Sequence, residues 1–598
     1  MKRHLRIPLL LIVLALLHVS VLAQKIPSPQ DVLGFRPGDD KKLADWKQIT
    51  DYFTKLSQAS PRITLRELGK TTNGNPFLLA TITAPENQKK LDRYREIQHK
   101  LADPRLVSSD AEVDRLIEEG KNVVVISCSI HSTEIVASQM SMELAYKLAS
   151  DNSDDTKDIL NNTIILMFPS MNPDGIDIVS HWYQKTLGTP YEGSNPPELY
   201  HHYAGHDDNR DWYMLNLAET QLATKLFYKE WYPEIFYDIH QQGSFGSRMF
   251  VPPFFDPPNP NIDSVLLRSV AMIGEHMSAD LAEAGYKGIS TFSTYDTWWH
   301  GGFRTAPYYH NAVGILTEAA SSRIATPIEV TRDDLAKSNT RGLGNAVNRS
   351  TNFPDVWPGG IWRNSDIRDM EMVTAWSLLK LSARYRKEWM RNFYNLGKKQ
   401  LDLGKTEGPY AYVVPPDQRD SRNVTHMVRI LEEQGVEVHR AKKEFNLDGQ
   451  TYASGTYIVP MNQPYRANVK TLFEAQEYPN RLLANGEAER PYDVAGWTLP
   501  MMMGVNYAVV NKPLDPSIIG DEVKAPSRDD KVQERASAKR VGLYQSWNAS
   551  MDEGWTRYVL EHFTLQDGIN VKFNYTSVHN NDIRGGNLRD KFDVIILP

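Results

Sequence analysis

Two imidazoles and two carboxylates are spaced along this chain as a hydrolytic metal site would need them. His131 and Glu134 stand three residues apart, directly after the β-branched run Val123, Val124, Val125 and Ile126. An imidazole and a carboxylate in one turn can converge on a single ion, which is half of a zinc site with nitrogen and oxygen ligands. The motif alone is weak, because sixteen histidines in a chain this long give roughly one His-x-x-Glu by accident. His240, 109 residues downstream of His131 in EIFYDIHQQG (234–243), adds a third ligand. A fourth position is then left for water, as a hydrolytic rather than a structural zinc requires. Glu318, another 78 residues on in GILTEAASS (314–322), is the candidate general base that takes a proton from water and hands it to a leaving nitrogen. Between the ligands lies GHDDNRDW (205–212). Arg210 can grip a carboxylate through two parallel hydrogen bonds and Asn209 adds donors beside it. Asp207 and Asp238 are candidates for holding the ring N–H of a ligating histidine.

These residues need strands that end together. The run at 121–128 reads as a strand buried on both faces, followed by a helix over 135–150. TIILMFPSMNPDG (163–175), 234–243 and 314–322 repeat the pattern, with helices over 215–228 and 265–284. The fold class this predicts is α/β, a mixed and mainly parallel sheet flanked by helices, with its active site outside the carboxyl ends of the strands. Before it come a helix through Leu43, Trp46, Ile49, Tyr52, Phe53 and Leu56, a hairpin over 63–83 around Asn73-Gly74, and a solvated helical excursion over 86–119. The catalytic unit is expected to run from 24 to 345. Residues 346–405 read as a loop and a long helix over 369–401, and 406–510 as a small α/β region with a β-α-β unit in 406–441. Residues 511–535 read as a linker. Residues 536–598 read as the start of an open α/β domain, by analogy amidotransferase-like or flavodoxin-like, whose three strands lack a closing helix and suggest an incomplete sequence.

Composition narrows the classes. Hydrophobic residues make up 41% and charged residues 24% of 598, which suits globular protein, and a net charge of -7 gives no reason to expect nucleic acid. Lys2, Arg3 and Arg6 precede an apolar run from 7 to 22, and Ala23 offers a cleavage site, so 1–23 is expected to be a secretory signal. No later segment is long and apolar enough to span a bilayer. The one cysteine, Cys128, excludes an internal disulfide and reads as a core residue. An exported chain without disulfides suits the bacterial envelope, secreted or periplasmic. His201, His202 and His206 read as a hydrated loop, and Trp298, Trp299 and Phe303 as core or pocket wall.

The ordered set H-S-T-E, N-P-D-G, D-D-N-R-D, D-I-H and I-L-T-E resembles the M14 family of zinc carboxypeptidases, over about residues 40 to 345. The resemblance implies one Zn2+ per chain on His131, Glu134 and His240, Glu318 as general acid/base, and Asn209 and Arg210 on the substrate's terminal carboxylate. It also implies that Asp207 supports His131. Residues 176–208 lack the arginine that the family uses for the oxyanion, and Lys185 is the nearest cation that could substitute. Tyr295 fits the family's mobile tyrosine by spacing, with Tyr308 and Tyr309 as rivals, and Arg304 is a further candidate for the substrate or oxyanion. The expected function is a secreted zinc metallocarboxypeptidase acting on peptides or proteins with a free C-terminus. A cell-wall peptide amidase or endopeptidase of the same fold, or a catalytically silent peptide-binding module, is the alternative.

Overall fold

The computed structural model describes residues 25–598 except 448, 484, 495, 525–531, 536–538 and 565–569. The signal segment expected at 1–23 lies outside the described residues. No helix among the described residues is long and apolar enough to cross a membrane.

An eight-stranded mixed sheet, flanked by helices, forms the centre. Its strands are β1 (Ile63–Lys70), β2 (Pro76–Ile82), β3 (Asn122–Cys128), β4 (Thr163–Phe168), β5 (Ile235–Gln242), β6 (Met249–Phe250), β7 (Ile289–Ser290) and β8 (Val313–Ala320). The spatial order is β1-β2-β4-β3-β5-β8-β6-β7. The four inner strands β4, β3, β5 and β8 are parallel. The hairpin of β1 and β2 is antiparallel and joins β4 antiparallel, while β6 joins β8 antiparallel on the other side. The β-branched run of β3 alternates between two cores: Val123 and Val125 enter one, Val124, Ile126 and Cys128 the other. Period-two alternation with both faces apolar is what a central parallel strand requires. Because β4 lies on one side of β3 and β5 on the other, the chain reverses its direction of travel there. The crevice beyond the carboxyl ends of β3 and β5 is a topological switch point.

Two helices, Asn364–Arg384 and Arg386–Thr406, replace the single one expected over 369–401; the axis breaks at Tyr385, whose ψ of 27° leaves the helical range. Ile367, Met370, Leu378 and Leu379 of the first complete one core, and Met390 and Phe393 of the second enter the other. The boundary expected at 345 therefore falls before the cover of the sheet is finished. Further on, a five-stranded sheet has the order Ala508–Val510, Ala411–Val414, Tyr457–Pro460, His439–Ala441, Ile519–Glu522, with every pair antiparallel. The β-α-β unit expected in 406–441 is thus split, because Tyr457–Pro460 inserts between its two strands and bonds to both. The edge strand Ile519–Glu522 lies within the stretch expected to be a linker. Thr576–Val578, Val541–Tyr544 and Val594–Ile596 form a small parallel sheet.

Glu234, immediately before β5 and 2% exposed, ties the amino ends of the inner strands together. It accepts the Val123 N–H at 2.8 Å and the Gln98 amide at 2.7 Å. Burial pushes its carboxyl up to about 8. The folded chain therefore holds a proton here that the unfolded chain releases near 4.5. The stabilisation from this group is complete below that value and is lost as pH rises through about 8. Denaturation midpoints between pH 5 and 8 should fall more steeply in the native chain than in Glu234→Gln, by up to about 1.4 kcal/mol per pH unit. Parallel pH profiles of the two chains would refute this.

Candidate active site

The turn after β3 carries the first two candidate ligands. Ser129 adopts a left-handed φ of 46°, a conformation that non-glycine residues accept only when held there. Its hydroxyl does the holding: it donates to the Glu134 carbonyl and accepts the Ser138 N–H, each at 3.0 Å. The turn packs on Gly175 of N-P-D-G, where a Cβ would come within 2.1 Å of the Ser132 hydroxyl. His131 and Glu134 are thereby directed across the end of β3 towards His240, the sixth residue of β5.

The three groups converge. Nδ1 of His131 lies 3.0 Å from Oε1 of Glu134, and Nδ1 of His240 lies 2.9 Å from Oε2. One ligand atom from each residue can be chosen so that all lie within 4.8 Å of one another. The Gln241 N–H donates to Oε2 of Glu134 at 2.9 Å, and the helix Val136–Ser150 presents its amino end close by, both favouring a carboxylate. Asp238 sits 2.7 Å from Nε2 of His240 and also accepts from the Ser127 hydroxyl at 2.8 Å, across the register of β3 and β5. A proton on Nε2 facing Asp238 leaves Nδ1 as the lone-pair nitrogen, the orientation a metal ligand needs. Nε2 of His131 and Oδ1 of Asp208, 3.8 Å apart, are buried without hydrogen-bond partners. Two imidazole nitrogens and a carboxylate oxygen, backed by carboxylates, fit zinc with an open position.

The charges are strongly linked. Burial opposes ionisation of Glu134, yet His131 and His240 outweigh it and hold its carboxyl well below the usual range. Burial likewise disfavours charge on His240, but Asp238 and Glu134 hold it well above the ordinary imidazole value. His131 is pulled down by burial despite Glu134. Glu318 pairs with His240 across β5 and β8. Burial pushes its carboxyl up to about 8, helped by the charge of Glu134 and opposed by His240 and the Tyr295 hydroxyl.

His131, Glu134, His240, Glu318, Asp238 and Tyr295 are thus brought together; the other expected residues divide. Asp208, rather than Asp207, faces His131, because the backbone of Gly205–Arg210 winds as a 3-10 turn that points Asp208 inward. Asn209 is also turned inward. Its amide donates to Asp238 at 3.0 Å and its carbonyl accepts from Trp212 at 3.0 Å and the Phe303 N–H at 2.8 Å. Asn209 therefore braces Asp238 from within the turn. Arg210 is partly exposed and lies 5.0 Å over the Trp299 ring. Lys185 does not reach the site. It stands exposed over Trp182 at the last turn of Pro173–Thr186, and the amino cap of that helix, Asn172, is the end bonded to Asp208, roughly 18 Å away at 1.5 Å per residue. Arg304 is 5% exposed and donates to the Asp296 carbonyl at 2.5 Å. Tyr308 and Tyr309 are spent on the carbonyls of Gly314 and Trp298.

Three neighbours fall outside the expected set. His206 stacks on His131 with ring centroids 3.7 Å apart, Asp208 backs the same ring, and Glu371 is fully buried with neither carboxyl oxygen bonded. Burial drives the Glu371 carboxyl well above the usual range, with the charge of Glu134 adding to it. His201 and His202 go elsewhere, to Glu219 and Arg557.

Residues 49–231 match the family model described as zinc carboxypeptidase. That interval contains His131, Glu134, Asn209 and Arg210 and stops before His240 and Glu318. No curated protein matches the chain. Similar solved structures include carboxypeptidase A from Helicoverpa armigera, at 16% identity and a TM-score of 0.36, covering 58% of this chain and 74% of that one. The metallo-carboxypeptidase from Burkholderia cenocepacia stands at 16% and 0.35, covering 57% and 69%. Thrombin activatable fibrinolysis inhibitor stands at 8% and 0.36, covering 61% and 79%. The resemblance read from the motifs is borne out over residues 49–231, which match the zinc carboxypeptidase family model and hold the first two of the three candidate ligands.

Proposed function

We propose that this chain is an exported zinc-dependent metallocarboxypeptidase that hydrolyses the peptide bond before a C-terminal residue. The observation that carries the reading is the meeting of two Nδ1 atoms and one carboxylate at adjacent parallel strand ends, with Glu318 in register beside His240. In this reading 1–23 is a cleaved leader, and the catalytic unit includes the two helices that end at Thr406. His131, Glu134 and His240 would hold zinc. When bound, the ion supplies a Lewis acid and a double positive charge that lowers the proton affinity of neighbouring groups.

The chain's own residues do the rest. Glu318 accepts the proton of the attacking water and delivers it to the departing amine. Tyr295 orients that carboxyl. Asp238 keeps the His240 ring in the tautomer that exposes Nδ1, Asn209 fixes Asp238, and Asp208 stands behind the His131 ring. Arg210 receives the substrate's terminal carboxylate, which aligns the scissile bond.

Glu318→Gln should cut kcat on a mixed peptide library by about 10³-fold or more while bound zinc stays at one per chain. Full activity in that variant would sink the role of Glu318. Zinc binding without cleavage of any library member by the native chain would favour a silent binding module. Asp238→Ala should weaken zinc by about 10- to 100-fold in a competitive chelator titration. With Glu318 as base, kcat/KM should fall on the acid side, at a midpoint below the value of about 8 it has without a dication. A profile flat from pH 5 to 8 would count against it.

A further inference from the structure

The receptor assigned to a substrate's carboxylate already faces one from inside the molecule. Oδ2 of Asp493 lies 2.9 Å from Nε of Arg210, with the two side chains 10% and 23% exposed. Asp493 comes from the chain beyond the central sheet and reaches back into the cleft. The segment is pinned on both sides of it. Glu489 bonds Arg481 and Arg341, both at 2.7 Å, and Trp497 packs with Trp298 and Trp299. Next to Asp493, the Tyr492 ring meets that of Tyr295 at 5.1 Å and 73°, and the Tyr295 hydroxyl acts on the Glu318 carboxyl.

We infer that Asp493 is a specificity-determining residue of this cleft. It occupies Arg210 as an internal stand-in, so that a substrate's terminal carboxylate binds there only by displacing it. The inference rests on Arg210 being the carboxylate receptor of a carboxypeptidase site.

One feature favours exchange over a permanent structural pair. No aligned hydrogen bond joins the two, and Oδ2 of Asp493 is buried without a hydrogen-bond partner. A burial of that kind is costly, whereas an incoming carboxylate can take two aligned bonds from a guanidinium. The anchors at Glu489 and Trp497 keep Asp493 at high effective concentration and so oppose its displacement, which makes the exchange selective for well-matched peptides. The predicted consequence is a site that discriminates weakly between acid and amide termini in the native chain.

The test uses the full chain, zinc-loaded, with Glu318→Gln to prevent cleavage, with and without Asp493→Asn. The probes are N-acetylated tripeptides covering all twenty terminal residues, as free acids and as amides, with affinities measured by titration. Asp493→Asn keeps the side-chain shape and removes the charge. The ratio of acid to amide affinity should rise by at least about tenfold, and adding Arg210→Ala should abolish the rise. An unchanged ratio, or amides tightening equally, would overturn the inference. The two readings separate when Glu318 is restored. A raised ratio with no hydrolysis by any form sinks the peptidase and leaves Asp493 in its role. Hydrolysis of free-acid peptides with an unchanged ratio sinks only the role of Asp493, and no binding of any acid in either background sinks both.

Discussion

One carboxylate shared between two imidazoles sets the terms for everything around it. An ionised Glu134 buried at the end of a parallel sheet costs several kcal/mol unless it is paired and hydrogen-bonded. The chain answers from four directions: two ring nitrogens, the Gln241 N–H and the amino end of the following helix. Two come from the turn that bears Glu134 and two from β5, so the cluster is complete only once β3 and β5 lie side by side. Asp238, Asp208 and Glu371 then form a ring of buried acids behind it. That much buried acid is tolerable only where protons or a cation offset the charge.

The sheet was legible because its signals are local and repeated. Val123 to Ile126 announces a strand covered on both faces, and the same pattern before His240 and Glu318 marks the neighbours that bring those residues together. The types, order and strand-end positions of the candidate ligands were all readable. The aim of side chains within the loop 205–210 was not. Two adjacent aspartates differ only in which way a tight turn points them, and nothing in their spacing tells Asp207 from Asp208. Asn209 presents the same difficulty, since an amide on a substrate-facing loop and one turned beneath it have the same sequence. Lys185 stands out by its charge and its place between N-P-D-G and the Asn-Arg pair, but the length of its helix carries it away from the site.

Packing beyond the motifs was harder still. Residues after 345 carry no chemistry-bearing motif, yet the helices Asn364–Arg384 and Arg386–Thr406 close both cores. Amphipathic spacing shows that such a helix has an apolar face, without saying which sheet it covers. The strand Tyr457–Pro460, inserted between two others, belongs to the same class of long-range pairing. So does the return of Tyr492 and Asp493 into the cleft, across nearly three hundred residues from Arg210.

The placement of Cys128 has a use of its own. It closes β3 directly beneath the turn that bears His131, with no exposure, and burial pushes its thiol well above the ordinary range. A thiol in that condition is inert to alkylating reagents until the sheet parts. Being the single cysteine of the chain, it makes the rate of its labelling a clock for the opening of the very strands that carry the ligands, readable by mass without any added probe.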